Sequence, residues 1–290
     1  MIFGMPTLIE LKTPETCAAL CKELGLSFVE LSMDMPEYQP DRLDLDMLRK
    51  IADNYGIYYT IHLSGFLNPC DFNNKIAAAY TNVMLETITA AKQLTVPILN
   101  MHLHSGDHFT LPDRKVHLFD EYKSEYLTKL TSFRDACQTA IGNSDIRICV
   151  ENCGEYGNKP YLQKGLSLLL ESPVFAVTFD IGHNAGVGYA DEPTIMEHIN
   201  RLAHFHIHDA KGKNNHLILG EGNMDLHKYL ALANKHNCRA VLETKTVDGL
   251  RRSVKWLGRV PTTEMVRFLR QFFVNRGSFD ATYWRQVRKN

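Results

Sequence analysis

The chain has 290 residues, of which 44% are apolar and 22% charged, and its formal net charge is −1. Global disorder is excluded by that composition. Near-neutrality excludes a strong overall pull on nucleic acid or membrane surfaces, and no run of about 18 apolar residues offers a membrane span. The charge is uneven: from Lys245 onward 11 Lys/Arg stand against 3 Asp/Glu, a local +8 that leaves −9 for the preceding part. This basic end reads as a solvated or subunit-facing helical tail, with a phosphate-docking surface as the sharper alternative. The seven cysteines are odd in number and widely spaced. They point to free thiols in a reducing compartment, so a cytoplasmic location is expected. Cys149 and Cys153, which flank Glu151, read as packing residues.

Short apolar runs alternate with longer amphipathic ones. Residues 2–9 predict a first strand. Thr13 and Pro14 read as N-cap and first-turn residues of a helix reaching Gly25. Then come a strand over 28–31 with Glu30 near its end, a helix over 45–55 stopped by Gly56, a strand over 57–62 and a helix over 74–94. The pattern continues with a strand at 97–104, a helix at 116–141, a strand at 146–151, a helix at 162–170 and a strand at 175–180. A helix near 193–199, a strand at 202–208, a helix at 226–236, a strand at 240–243 and a helix at 248–257 complete eight βα units. Eight such units predict a closed (β/α)8 barrel, a fold of about 250 residues. Residues 1–260 are assigned to this barrel. Residues 261–290, with a helix predicted over 262–274, form an extra C-terminal helical segment packed on it.

Residues 202–222 carry the densest chemistry. Period-2 alternation puts His204, His206 and His208 on one strand face, and Asp209, Asn214 and His216 follow at once. Polar residues recur at the other strand ends: His62, His104, Glu151, Asp180 and Glu243. In a barrel those ends converge on one mouth. Three carboxylates gathered there would raise each other's pKa, and a divalent cation removes the conflict. A His/carboxylate mixture suits Zn²⁺ or Mn²⁺ better than Ca²⁺, with Mg²⁺ or Co²⁺ also compatible. A single such His is more often structural than a ligand; it is their recurrence at successive strand ends that points to a metal site. His102 shares a face with His104, and His208 with His206. His204 reads as a barrel-floor residue, and His108, His117, His198 and His227 are assigned no role. Asp209 and Lys211 read as supports that anchor the loop or orient His206.

The chain resembles the xylose isomerase-like TIM-barrel superfamily, which includes sugar isomerases, epimerases and endonuclease IV. The segments that carry the resemblance are Val-Glu at 29–30, Thr-Ile-His-Leu-Ser at 60–64, His-Ser-Gly at 104–106, Val-Glu-Asn at 150–152, Phe-Asp-Ile-Gly-His at 179–183, His-Ile-His-Asp-Ala-Lys at 206–211, His-Leu-Ile-Leu-Gly-Glu-Gly at 216–222 and Leu-Glu-Thr at 242–244. The resemblance to the epimerase branch implies that Glu151, Asp180, His206 and Glu243 hold one divalent ion. It also implies that the two glutamates exchange protons with substrate through an enediolate-type step, and that His183 touches substrate. The Arg that usually follows the seventh-strand His in ketose 3-epimerases has no match here; Lys211 and Gly212 stand in that region. The resemblance to endonuclease IV implies a wider ligand set that adds His62, His104, His183 and His216, with Asn214 where that branch has an Asp. The expectation is a metal-dependent isomerase or epimerase acting on a small carbohydrate, with a metal-dependent phosphodiester hydrolase as the alternative and a non-catalytic binding barrel as a third reading. A nucleic-acid partner is not expected, a membrane partner is excluded, and a homo-oligomer contacting through the C-terminal helix is open.

Overall fold

The structure, a computed structural model, describes residues 1–259. The helix expected over 262–274, and the extension containing it, lie outside the described residues. Eight parallel strands close into a barrel: β1 (Ile2–Pro6), β2 (Phe28–Ser32), β3 (Tyr58–His62), β4 (Ile98–His102), β5 (Arg147–Glu151), β6 (Phe175–Asp180), β7 (Leu202–Ile207) and β8 (Arg239–Leu242). Each pairs with its sequence neighbours, and β8 pairs with β1 through Ile2 and Arg239. The principal helices are α1 (Pro14–Glu23), α2 (Leu45–Tyr55), α3 (Asn74–Gln93), α4 (Lys123–Ile141), α5 (Pro160–Leu169), α6 (Glu192–Glu197), α7 (Leu226–Lys235) and α8 (Val247–Leu257). This is the (β/α)8 order read from the sequence. Local signals act as expected: Thr13 caps the helix that begins at Pro14, in a capping box closed by Thr16, and Gly56 ends α2 at a left-handed φ of 66°.

Two local readings are corrected. The fourth strand ends at His102 rather than His104, so Leu103 and His104 belong to the loop. The helix expected from 116 begins later. His108–Thr110 and Lys115–His117 pair as an exposed antiparallel hairpin, followed by a short turn of helix, Leu118–Glu121. A Leu-Pro-Asp turn at 111–113 reverses the chain there, which leaves Val116 in strand geometry. A second hairpin, Asp209–Lys211 with Asn214–Leu217, follows β7.

Strand parity sorts the side chains. Val29, Ile61, Leu99, Val150 and Phe205 are fully buried on the helix-facing side. The opposite parity fills the barrel, where Ile98, Cys149 and Ala176 form an apolar cluster. Register then sets Glu30 beside Thr60, His102 beside Glu151, and Thr178 beside His204 and Asp180 beside His206. Buried polar groups need partners, and these interlock. Thr60 Oγ1 donates to Glu30 Oε2 at 2.9 Å, Thr178 Oγ1 to Asn100 Oδ1 at 2.5 Å, and Asn100 Nδ2 to Glu151 Oε2 at 2.5 Å.

Candidate metal centre at the barrel mouth

His206 lies at the middle of the site, and its two nitrogens face different surroundings. Nε2 is 2.9 Å from Glu30 Oε1. Nδ1 is 3.3 Å from Glu151 Oε2, 3.4 Å from Glu243 Oε2 and 3.9 Å from Asp180 Oδ2. A carboxylate only accepts, so Nε2 carries the hydrogen toward Glu30 and Nδ1 is left facing three carboxylates. None of those approaches is aligned as a hydrogen bond, and Nδ1, Glu151 Oε1 and Glu243 Oε2 have no hydrogen-bond partner.

Other rings repeat this geometry. His62 Nδ1 is 2.7 Å from the Leu63 carbonyl, which accepts its hydrogen, and its Nε2 is 3.4 Å from Glu151 Oε2. His102 Nε2 is 3.3 Å from the same oxygen and lacks a hydrogen-bond partner. His183 Nδ1 is 3.2 Å from Glu151 Oε1 and 3.3 Å from Asp180 Oδ2. Imidazole lone pairs and carboxylates share this space comfortably only with positive charge between them, whether protons or a cation. Without a cation the rings take up protons. Burial opposes charge on His206, but Glu151, Glu30 and Glu243 outweigh it and hold the imidazolium well above its ordinary range. Burial is likewise outweighed by Asp180 and Glu151 at His183, whose pKa rises to about 10. Burial would raise Glu151 and Glu243, yet His206 above all holds both carboxyls well below theirs.

The donor set fits a divalent ion. Glu151, Asp180 and His206 each offer a ligand atom within 4.8 Å of the others, and Glu243 Oε2 adds a fourth beside His206. Mixed imidazole and carboxylate donors suit Zn²⁺ or Mn²⁺. Among the described residues four further trios meet the same 4.8 Å spacing: His62–His102–Glu151, His208–His216–Glu243, Glu151–Cys153–His183 and Glu30–His204–His206.

Local backbone holds these groups in place. Asp180 caps the short helix Ile181–Gly186 by accepting from His183 N at 2.6 Å. His216 adopts a left-handed φ of 55°, an uncommon geometry for a non-glycine residue. Its backbone N–H donates to His208 Nδ1 at 2.8 Å, which leaves the His208 hydrogen on Nε2, 3.2 Å from Asp180 Oδ2. The two rings stack at 4.2 Å. His208 packs so closely on Gly182 that a Cβ there would overlap its ring. Asp209 is buried and accepts backbone hydrogens from Ala210, Gly220 and Gly222 at 2.9 Å and from Met224 at 3.3 Å. It therefore anchors the loop rather than contacting His206.

Glu151, Asp180, His183, His206, His216 and Glu243 are thus brought together with His62. The structure does not bring in the others. His104 Nδ1 accepts from Gly106 N at 3.0 Å, and Asn214 and Lys211 pair with each other on the exposed hairpin. Glu30, Asn100, His102 and His208 join the centre although the strand-end reading left them out. Parity was the signal that could have found Asn100, His102 and His208, since each shares a face with His104 or His206; Glu30 has no site residue on its own strand and is joined to the centre through His206 Nε2. His204, read as a floor residue, is fully buried with Nε2 at 3.0 Å from Glu30 Oε2.

The sequence profile of the xylose isomerase-like TIM barrel matches residues 18–260. No curated protein matches in sequence. Solved structures share the fold. A D-tagatose 3-epimerase-like protein aligns with a TM-score of 0.73 at 21% identity, over 89% of this chain and 96% of its own. The 3-keto-D-glucoside 4-epimerase of E. coli aligns at 0.70 and 12%, over 89% and 98%. An IolI protein with a bound zinc atom aligns at 0.67 and 14%, over 88% and 92%. Among the described residues no helix is long and apolar enough to cross a membrane.

Proposed function

The chain belongs to the xylose isomerase-like TIM-barrel family, and from that premise we propose that it is a divalent-metal-dependent isomerase or epimerase acting on a sugar or sugar derivative. One observation carries the reading: two glutamate oxygens, Glu151 Oε2 and Glu243 Oε2, flank a single imidazole nitrogen at 3.3 and 3.4 Å. Two carboxylates beside one cation position suit proton transfer at a carbon next to a carbonyl, one as base and one as acid. Glu151, Asp180, His206 and Glu243 would hold the ion, which when bound supplies a Lewis acid for a substrate carbonyl. Asp180 and His206 hold; Glu151 and Glu243 also act on protons, one removing and one returning. Two of the similar structures are named as sugar epimerases or epimerase-like, and a third carries zinc, which supports both substrate class and cofactor.

The test is proton exchange. Purified protein with Mn²⁺ or Zn²⁺ and a panel of ketoses and keto-sugars in D₂O should place deuterium at the carbon next to the carbonyl, followed by NMR. Exchange should stop in Glu151→Gln and Glu243→Gln. Exchange that persists in both variants would remove the glutamates from the chemistry.

Phosphodiester hydrolysis is the second reading, and the surplus of imidazoles favours it. His62 and His102 beside Glu151, and His208 and His216 beside Glu243, are donors that a one-ion epimerase does not need. Metal analysis separates the two readings. More than one ion per chain, with severe loss of activity in His62→Ala and His216→Ala, supports hydrolysis. One ion, with mild effects of both, supports isomerisation. The net charge of −1 argues for a small phosphoester rather than a long nucleic acid in the hydrolytic case.

A further inference from the structure

We propose that Glu30 is the positioning residue of the metal centre: by holding the Nε2 hydrogen of His206 it selects the tautomer whose Nδ1 lone pair is free toward the cation. The proposal rests on the metal-dependent reading above. Glu30 is on β2, and the centre draws its four ion-holding residues from β5, β6, β7 and the residue after β8. It is therefore joined to the site only across the barrel interior.

Glu30 is buried and fully hydrogen-bonded. It is 2% exposed, and both oxygens are engaged: Oε1 by His206 Nε2 at 2.9 Å, and Oε2 by His204 Nε2 at 3.0 Å and Thr60 Oγ1 at 2.9 Å. Among the described residues its ion pairs are with those two histidines. A carboxylate buried for packing alone would be a poor choice, because desolvating it is costly and an apolar residue fills space better. Beside an imidazole it does what an apolar side chain cannot. An acceptor at Nε2 selects the tautomer, and its negative charge strengthens Nδ1 as a donor. The ring has little freedom to reorient, since His62 stacks on it at 5.5 Å and His204 meets it edge-on at 5.3 Å. Removing the carboxylate thus changes the electronics of a ring that stays in place.

The experiment measures equilibrium affinity of metal-stripped protein for Zn²⁺ and Mn²⁺ by competition with a chromogenic chelator, and records the visible spectrum of the Co²⁺-loaded form. Glu30→Leu is expected to weaken binding about 10–100-fold and to alter the Co²⁺ bands. Glu30→Gln keeps a carbonyl acceptor for His206, and His204 has an unpartnered Nδ1 that can take the displaced hydrogen. It should rescue part of that loss, and it decides the matter if the leucine variant does not fold. Thr60→Val disturbs the same buried patch without touching the His206 bond and should bind within about threefold of wild type. Wild-type affinity in both Glu30 variants, or a loss in Thr60→Val as large as that in Glu30→Leu, would overturn the assignment while leaving the metal reading intact. A wild-type protein that takes up no divalent ion would overturn both.

Discussion

The two sides of the His206 ring face two differently built regions. Below it Glu30, His204 and Thr60 meet at 2.9–3.0 Å, and every oxygen of the carboxylate has an aligned donor. Above it Glu151, Asp180 and Glu243 approach Nδ1 at 3.3–3.9 Å with no aligned bond. Both regions are deeply buried and both mix carboxylate with imidazole, so burial and composition do not distinguish them. Completeness of hydrogen bonding does. Folding alone satisfies the Glu30 carboxylate, whereas the three carboxylates around Nδ1 still need a positive charge between them after the chain has folded. That is the physical difference between a polar core and a binding site.

The largest way to break the contrast is to neutralise the upper layer. Glu151→Gln and Glu243→Gln should each lower turnover by at least about 10³-fold, toward the upper end of what general acid–base groups contribute. Steady-state kinetics on the substrate found by deuterium exchange measures this. A loss under tenfold in either variant would exclude that glutamate from proton transfer.

Asp209 tests completeness from the other side, because it is another carboxylate finished by folding. Asp209→Ala strands four backbone N–H groups that now meet it at 2.9–3.3 Å. An unmet buried donor costs about 1–3 kcal/mol, and some of the four will find water. A destabilisation of roughly 3 kcal/mol is expected, read as a lower urea midpoint at unchanged slope. A midpoint equal to wild type would show that the loop is held by other contacts.

Adding the missing charge should act in the opposite direction. An ion that binds only the folded chain, at about 100 times its Kd, contributes about 2.7 kcal/mol. At roughly 2–4 °C per kcal/mol for a domain of this size, Zn²⁺ or Mn²⁺ should raise Tm by about 5–10 °C. The same addition to Glu151→Gln should raise it much less. An equal rise in both proteins would place the stabilising ion elsewhere.

The barrel was legible because it is written in local signals. Thr13-Pro14, Gly56 and the alternating 202–208 run each mean the same thing in isolation as in the fold. The convergence of Glu151, Asp180, His206 and Glu243 was legible too, since parallel strands of a barrel bring their ends together whatever lies between. Glu30 was visible only as a residue near a strand end. Its role depends on partners 174 and 176 positions away, and no local pattern encodes which inward residue of β2 meets which inward residue of β7. The hairpin at 108–117 was missed because its Leu-Pro-Asp turn is short and a helix follows almost at once.

His102 and His104 give the smallest and sharpest test of what the sequence could not decide. They share parity, so period-2 reasoning cannot choose between them; the choice depends on where β4 stops. The strand ends at His102, which register sets beside Glu151. Its Nε2 is 3.3 Å from Glu151 Oε2. Two residues on, His104 has left the ladder and accepts from Gly106 N instead. His102→Ala should therefore weaken divalent-ion binding several-fold, because it removes a donor beside a ligand carboxylate. His104→Ala should leave affinity within about twofold, since only a loop hydrogen bond is lost and water can replace it. Chelator competition on both variants measures the difference. If the order is reversed, the ladder at β4 extends further than it does in this structure, and the ion would have to be held from the His104 side of the mouth.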